Sequence, residues 1–124
     1  MKFSALALLL LASCSGSRSD EETEPEQVLV QNDNWLDMTV FVVSFSGVSR
    51  RMGSVGSLSQ TILEIPTDFP DGSLIRLLAD PVGSEEFFMT GEITVSPTQV
   101  IFLRISSHLS YSSWTIDDVA KDGQ

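Results

Sequence analysis

Cysteine and histidine are nearly missing from this sequence. Its 124 residues contain one cysteine, Cys14, and one histidine, His108. A single cysteine cannot form an internal disulfide, and a zinc site needs three or four His, Cys or carboxylate ligands. A Ser-His-Asp triad would have to use His108, and no G-x-S-x-G motif is present to expose a nucleophilic serine. The sequence therefore predicts a non-enzymatic protein without a cofactor, with a small envelope hydrolase built on His108 as an alternative.

Basic residues are also scarce. Seven Lys and Arg residues stand against 17 Asp and Glu residues, which gives a formal net charge of −10. Nucleic-acid phosphates and anionic lipid head groups would both repel such a chain, so neither is an expected partner. Arg50 and Arg51 form an adjacent basic pair. The pair indicates an exposed turn balanced by acids, or a contact with an acidic partner or a carboxylate ligand.

The sequence contains no hydrophobic run long enough to span a membrane. Residues 3–12 form an apolar stretch behind Met1 and Lys2, whereas a spanning helix needs about 20 apolar residues. A short positive segment, a short apolar segment and small residues together are typical of a secretory signal. We therefore predict a signal peptide over residues 1–13.

The end of this segment, Leu11-Ala12-Ser13-Cys14, resembles the lipobox of bacterial lipoproteins. The resemblance implies cleavage between Ser13 and Cys14 and a diacylglyceryl group on the Cys14 sulfur. Acyl chains such as palmitate would hold the protein at the membrane, because each buried methylene contributes about 0.8 kcal/mol. Ser15 in place of Asp after the cysteine implies the outer membrane of the cell envelope, on the periplasmic or surface side. The alternative is a Cys buried inside an apolar helix.

Two polar segments flank the predicted folded region. Residues 15–26 contain five acids, one Arg and no large apolar side chain, a composition that cannot form a core. With the lipidated Cys14 they predict a flexible linker over residues 14–26 that reaches at most about 40 Å. The polar residues 118–124 predict a disordered tail.

The remaining residues, 27–117, predict an all-β domain. Short alternating or apolar segments separated by turn residues favour a single small antiparallel β-sandwich of about seven strands. Residues 38–45 are apolar on both faces, which is typical of a central strand. The two glycines of residues 51–57 predict a turn. The strand segments are 27–32, 38–45, 59–65, 73–79, 92–95, 99–105 and 112–116, with 86–89 as a short candidate.

This body also resembles small lipoprotein domains from environmental bacteria. The resemblance rests on the stretches NDNWLDMTVFVV, MGSV, LLADPVGS and VSPTQVIFLRI. The last is similar to a strand–turn–strand unit of immunoglobulin-like and transthyretin-like sandwiches, although Thr98 stands where a Gly often follows the Pro. The resemblance implies a fold and no activity.

The stretch NDNWLD offers hard oxygen ligands within one predicted loop. Asn32, Asp33, Asn34 and Asp37 could bind calcium, with Asp33 and Asp37 as the charged ligands. The stretch does not match the EF-hand pattern. Asn and Asp also favour turns by bonding to their own backbone, so a turn is the preferred interpretation and a cation site the alternative.

Aromatic residues near the predicted turns give a second type of candidate site. Trp35, Phe87, Phe88, Tyr111 and Trp114 could stack on a sugar or contact a partner protein, or could close the ends of the core. Alternation predicts that one ring of Phe87 and Phe88 points outward when the other points inward.

The sequence thus predicts a lipid-anchored binding or structural module of the bacterial cell envelope. Its membrane contact would be the lipid on Cys14, and its partner an envelope protein or a glycan. The alternative is a sandwich that binds carbohydrate or peptide through Trp35, Phe87 and Phe88.

Overall fold

The computed structural model describes residues 25–119 as nine β-strands and one 3-10 turn. Ser13 and Cys14, on which the lipidation prediction depends, lie outside the described residues. The 3-10 turn covers Leu109–Tyr111. The strands are β1 (Gln27–Asn32), β2 (Met38–Ser44), β3 (Ser49–Val55), β4 (Ser59–Glu64), β5 (Leu74–Pro81), β6 (Phe88–Met89), β7 (Ile93–Thr94), β8 (Gln99–Ile105) and β9 (Ser113–Asp118).

The strands form two sheets, which confirms the predicted all-β sandwich. The first sheet has the order β4-β1-β8-β9, and the second has the order β3-β2-β5-β6, with β7 also paired to β5. Two details differ from the prediction. There are nine strands instead of about seven, and β1 pairs with β8 in parallel, whereas the other pairs are antiparallel.

The core lies between the two sheets and follows from alternation along the strands. Val28 and Val30 point inward from β1, and Ile101, Leu103 and Ile105 point inward from β8. The second sheet contributes Met38, Val40 and Val42 of β2, and Ile75, Leu77 and Ala79 of β5. Residues two apart along a strand share a face, so each strand contributes one apolar row to this core.

The strand β2 is interior to its sheet, as its two apolar faces predict. It pairs with β3 on one side and with β5 on the other. Its second face carries Phe41 and Val43, which are half-buried on the outside of the sheet. Phe41 is paired with Leu78 of β5, which in turn is paired with Met89 of β6. This outer row explains why β2 lacks a polar face.

The turn predicted at residues 51–57 is wrong, because most of that stretch belongs to β3. Arg50 and Arg51 therefore lie on a strand and not in a turn. Met52 is the extra residue of a β-bulge, since Val40 is paired with Gly53 and Phe41 with Arg51. A glycine at a bulge is compatible with a strand. A Cβ at position 53 would come within 2.8 Å of Leu63 Cδ2, so the absent side chain leaves room for the core.

The strand directions give the sandwich two different ends. We call the end where the chain enters at Pro25 the proximal end, and the end where β1 and β8 finish the distal end. Because β1 has six residues at about 3.3 Å each, the two ends are about 20 Å apart. Four loops meet at the distal end: residues 33–37, 56–58, 82–87 and 106–112.

No helix within residues 25–119 has the length and apolar character that crossing a membrane would require.

Glu26 fixes the entry of the chain at the proximal end, although the sequence places it in the linker. It is 2% exposed. Its backbone carbonyl accepts the Ile65 N–H at 3.0 Å, and its carboxylate Oε1 accepts the Ser96 N–H at 2.7 Å. Among residues 25–119, its Oε2 has no hydrogen-bond partner. Burial, reinforced by the charge of Asp71 and opposed by the bond from Ser96, raises the pKa of Glu26 above its ordinary value of 4.5.

The raised pKa of Glu26 predicts a pH-dependent loss of stability. The folded protein holds this proton more tightly than the unfolded chain, so the free energy of unfolding falls as the pH rises from about 4.5 through the folded-state pKa. Glu26→Gln keeps a bond acceptor for Ser96 and removes the charge. We expect the variant to lose less stability than the wild type between pH 4 and pH 7 in urea unfolding experiments.

The matched variant for this measurement is Asp71→Asn. It should act in the same direction and by less, because burial affects the pKa of Glu26 more than Asp71 does. Parallel pH curves for Glu26→Gln and the wild type would contradict the explanation.

Candidate functional site

A groove lined by loop residues lies at the distal end. Its volume is about 630 Å³, and three loops contribute its walls. The first loop supplies Asn34 and Leu36, the loop after β5 supplies Glu86 and Phe87, and the loop after β8 supplies Tyr111. The remaining lining residues are Pro81, Ser84, Phe88, Ser107, His108, Leu109 and Ser110. We call this feature the distal groove.

Two buried asparagines hold the first loop of the distal groove in place. The Asn32 side-chain amide donates to the carbonyls of Leu36, Val55 and Gly56 at 2.9, 3.3 and 3.0 Å. Its Oδ1 accepts the Asn34 N–H at 2.9 Å. These bonds tie the loop to the end of β3 and to the loop that follows it. The loop is therefore held in place by a buried side chain whose amide nitrogen and oxygen are both hydrogen-bonded.

Asn34 joins the same loop to the loop that follows β8. Its side-chain amide donates to the carbonyls of Ser106 and Ser107 at 3.0 and 3.2 Å, and its Oδ1 accepts the Leu36 N–H at 3.0 Å. The residue between these anchors, Trp35, is 75% exposed. The hydrogen bonds of the buried Asn34 side chain thus hold a loop on which the Trp35 ring is exposed to solvent.

The two aspartates of the alternative cation site, Asp33 and Asp37, form hydrogen bonds with different residues. Asp33 accepts bonds from Gln31 Nε2 at 3.1 Å and from Arg104 Nε at 2.8 Å, and these two bonds, the first most strongly, lower the pKa of Asp33. Asp37 Oδ1 accepts the Ser57 N–H at 2.9 Å. The described residues hold no group of three or more His, Cys, Asp or Glu side chains suited to a metal ion. Residues 34–36 form a bend, in which the Oδ1 atoms of Asn32 and Asn34 accept the N–H groups of Asn34 and Leu36.

The aromatic candidates divide into exposed and core-facing rings. Phe87 is 59% exposed and Tyr111 is 74% exposed, and both line the distal groove. Phe88 points inward, as alternation predicts, and packs against the core. Its ring centroid lies 6.4 Å from that of Trp114. Phe88 therefore forms part of the floor, whereas Phe87 and Tyr111 are free to contact another molecule.

His108 is an exposed residue of the distal groove. Its ring lies edge-on to Tyr111 with a centroid distance of 5.8 Å. Within residues 25–119, no hydrogen bond joins the His108 ring to a serine or an acidic side chain. The geometry that a nucleophilic triad needs, a serine and an acid on opposite nitrogens of the ring, is not formed there.

Arg50 and Arg51 lie on β3, and both interact with other side chains of the same chain. Arg50 forms an ion pair with Asp68. Arg51 donates to Ser54 Oγ at 2.8 Å. Neither residue lines the distal groove. The structure thus separates the arginines from Trp35 and Phe87, with which the sequence grouped them as possible contacts.

Two smaller cavities are found elsewhere among the described residues. One of about 560 Å³ lies at the proximal end and includes Glu26, Phe69 and Asp71. The other, of about 310 Å³, lies on the outer face of the second sheet beside Phe45 and Leu74. Neither combines exposed rings from several loops.

The sequence did not indicate that Leu36, His108 and Leu109 belong with the aromatic candidates. Alternation identifies strands but does not say which loops meet. The signal that brings these residues together is the parallel pairing of β1 with β8, in which Val30 is paired with Leu103 and Asn32 with Ile105.

Comparisons with known proteins add a distant structural neighbour. Searches found no matching protein family and no matching curated protein. Among solved structures, the chain is similar to a protein from Eubacterium rectale whose structure was determined by NMR. The two are 11% identical, with 88% of this chain and 100% of that chain covered and a TM-score of 0.45. This likeness is too low to carry an argument about function.

The asparagine anchor of the distal groove can be tested with Asn32→Asp. The introduced carboxylate would face three carbonyl oxygens without a hydrogen to donate, so we expect a loss of about 3 kcal/mol in the free energy of unfolding at pH 7. The loss should shrink as the pH falls toward about 4, because burial against these carbonyls raises the folded-state pKa of the introduced carboxyl group and protonation removes its charge. Urea unfolding followed by tryptophan fluorescence measures both values.

The matched control is Gln60→Glu, which introduces the same charge at an exposed position of β4. Its effect should stay within about 0.5 kcal/mol. An equal loss in the two variants would show that the added charge, and not the anchor, is responsible.

Proposed function

We propose that this protein is a lipid-anchored binding module of the bacterial cell envelope and that the distal groove is its binding surface. The membrane attachment would be the acylated Cys14 of the lipobox-like sequence. The groove would contact an envelope protein or a glycan and catalyse no reaction. The finer classification, an immunoglobulin-like or transthyretin-like lipoprotein domain, is part of the same proposal.

One observation carries the proposal: the exposed rings and the entry of the chain are at opposite ends of the sandwich. Pro25 and Glu26 lie at the proximal end, where Glu26 bonds to Ser96. Trp35, Phe87 and Tyr111 lie in loops of the distal end. A chain tethered through its N-terminal side would therefore hold these rings on the side away from the attachment point.

The dimensions of the chain support this orientation. Residues 15–24 between Cys14 and Pro25 could extend at most about 35 Å, and the sandwich adds about 20 Å from its proximal to its distal end. The distal groove could then reach a partner tens of ångströms from the lipid surface. The acidic residues of the tether would be repelled by anionic head groups, which favours an extended position.

Exposed aromatic side chains favour binding over a purely structural role. Large rings bury most of their area in ordinary small domains, and rings that stay in solvent are frequent anchors of interfaces. Here Tyr111 and Phe87 are each more than half exposed beside one groove. A hydrolase built on His108 finds less support, because this imidazole faces Tyr111 and not a serine and an acid.

The lipid anchor is tested by mass spectrometry of the protein from its native membranes. We expect the mature chain to begin at Cys14 and to carry a diacylglyceryl group on that residue. The variant Cys14→Ser should yield no lipidated protein and should keep residues 1–13 attached. A free Cys14 thiol, or residues 1–13 still attached in the native protein, would exclude this mode of anchoring.

The binding surface is tested by site-specific photocrosslinking in living cells. A photoreactive benzoylphenylalanine in place of Tyr111 or Phe87 should give a discrete adduct with an envelope component. The matched control has the same residue in place of Phe45, which is 77% exposed at the proximal end of β2. Adducts from position 45 together with none from positions 87 and 111 would move the binding surface away from the distal groove.

A further inference from the structure

We propose that the distal groove recognises a basic peptide segment, in which Lys or Arg side chains contact Glu86 and stack on Phe87 and Tyr111. This inference rests on the proposed function, since it names the partner chemistry of the same groove. It goes further by choosing a cationic protein segment over a neutral glycan.

The formally charged residues of the distal loops are all acidic. The four distal loops, residues 33–37, 56–58, 82–87 and 106–112, contain four acids and no Lys or Arg. Asp33 is neutralised by Arg104, and Asp37 caps the Ser57 N–H. Glu85 and Glu86 take part in none of the ion pairs found within residues 25–119. The groove therefore presents unbalanced negative charge, which attracts cationic side chains.

The rings beside these carboxylates suit the same ligand. Phe87 follows Glu86 directly, and both line the groove together with Tyr111. An ammonium or guanidinium group is attracted to the face of an aromatic ring, and its methylene stem packs on apolar surface. Leu36 and Leu109 add apolar lining for such stems. A carboxylate next to exposed rings thus offers both a counter-charge and a stacking surface.

The remaining polar groups of the groove fit a glycan less well. The orientation of a small polar ligand is fixed by a few well-placed polar groups. The only side-chain amide in the lining belongs to Asn34, and its donors and acceptor are already used by Ser106, Ser107 and Leu36. The serines and Tyr111 supply single hydroxyl groups, and His108 supplies one imidazole. Glu86 is therefore the strongest recognition group available.

The test uses the full chain, purified in detergent, and fluorescence anisotropy of labelled peptides. The probe is a peptide of alternating lysine and leucine, with two counterparts in which glutamine or glutamate replaces every lysine. We expect the lysine peptide alone to bind, and its affinity to fall when the ionic strength is raised from about 0.05 to 0.5 M.

Variants separate the contributions of the charge and the rings. Glu86→Gln should weaken binding of the lysine peptide about two- to fivefold and reduce its salt dependence. Tyr111→Ala should weaken it about tenfold. The matched controls are Glu64→Gln and Phe45→Ala, which alter an exposed acid and an exposed ring at the proximal end and should change the affinity less than twofold. Circular dichroism checks that each variant is folded.

Four outcomes would overturn the inference. The first is equal affinity for the lysine and glutamine peptides, and the second is an equal loss of affinity in Phe45→Ala and Tyr111→Ala. The third is binding of chitotetraose, but of no peptide, with the same dependence on Tyr111; this result would leave the proposed function standing with a glycan as ligand. Failure of every probe would overturn the basic-peptide inference alone, because crosslinking from position 111 tests the binding surface separately.

Discussion

The parallel pairing of β1 with β8 is the constraint on which the rest of this structure depends. It places the first strand of the domain in the middle of the first sheet, between β4 and β8. Two neighbouring parallel strands finish at the same end of a sheet, so the loops after Asn32 and Ile105 meet at the distal end. The same pairing puts the entry of the chain at the proximal end. A single pairing choice thus assembles the distal groove and sets its position relative to the N-terminal side of the chain.

Most of the strands could be predicted from the sequence, because alternation reports directly on burial. Val28 and Val30, or Ile101 and Leu103, point into the core wherever their strands are placed. The strand β3 was missed because its core contacts are made by Met52 and Val55 around a bulge, so period two is interrupted. Gly53, which indicated a turn, instead makes room for Leu63. Pairing partners and direction could not be predicted, since a period of two gives the face of a residue and not its neighbour.

The candidate site was predictable in its parts and not in its assembly. Turn-forming Asn and Asp residues indicated that NDNWLD is a loop, and alternation indicated that Phe87 and Phe88 point in opposite directions. Nothing local distinguishes an asparagine that binds a cation from one that binds three carbonyls. The role of Asn32 depends on its bonds to the carbonyls of Val55 and Gly56, which lie more than twenty residues away in the sequence. His108 and Tyr111 join the site for a similar reason, because β8 returns beside β1.

The acidic character of the chain gains a physical meaning from this arrangement. If the chain is lipid-anchored as proposed, negative charge near an anionic membrane would favour positions away from the surface, and the distal loops lie at the end opposite Pro25, where the chain enters the sandwich. The same sign of charge at the groove would raise the local concentration of the proposed cationic segments and speed their encounter. Specificity would then depend on the rings, because Coulomb attraction between exposed groups is weak at physiological ionic strength. A rigid groove would help it to discriminate between ligands. The buried bonds of Asn32 and Asn34 hold the loop that carries Trp35 and Leu36 in place, although these two side chains are themselves exposed.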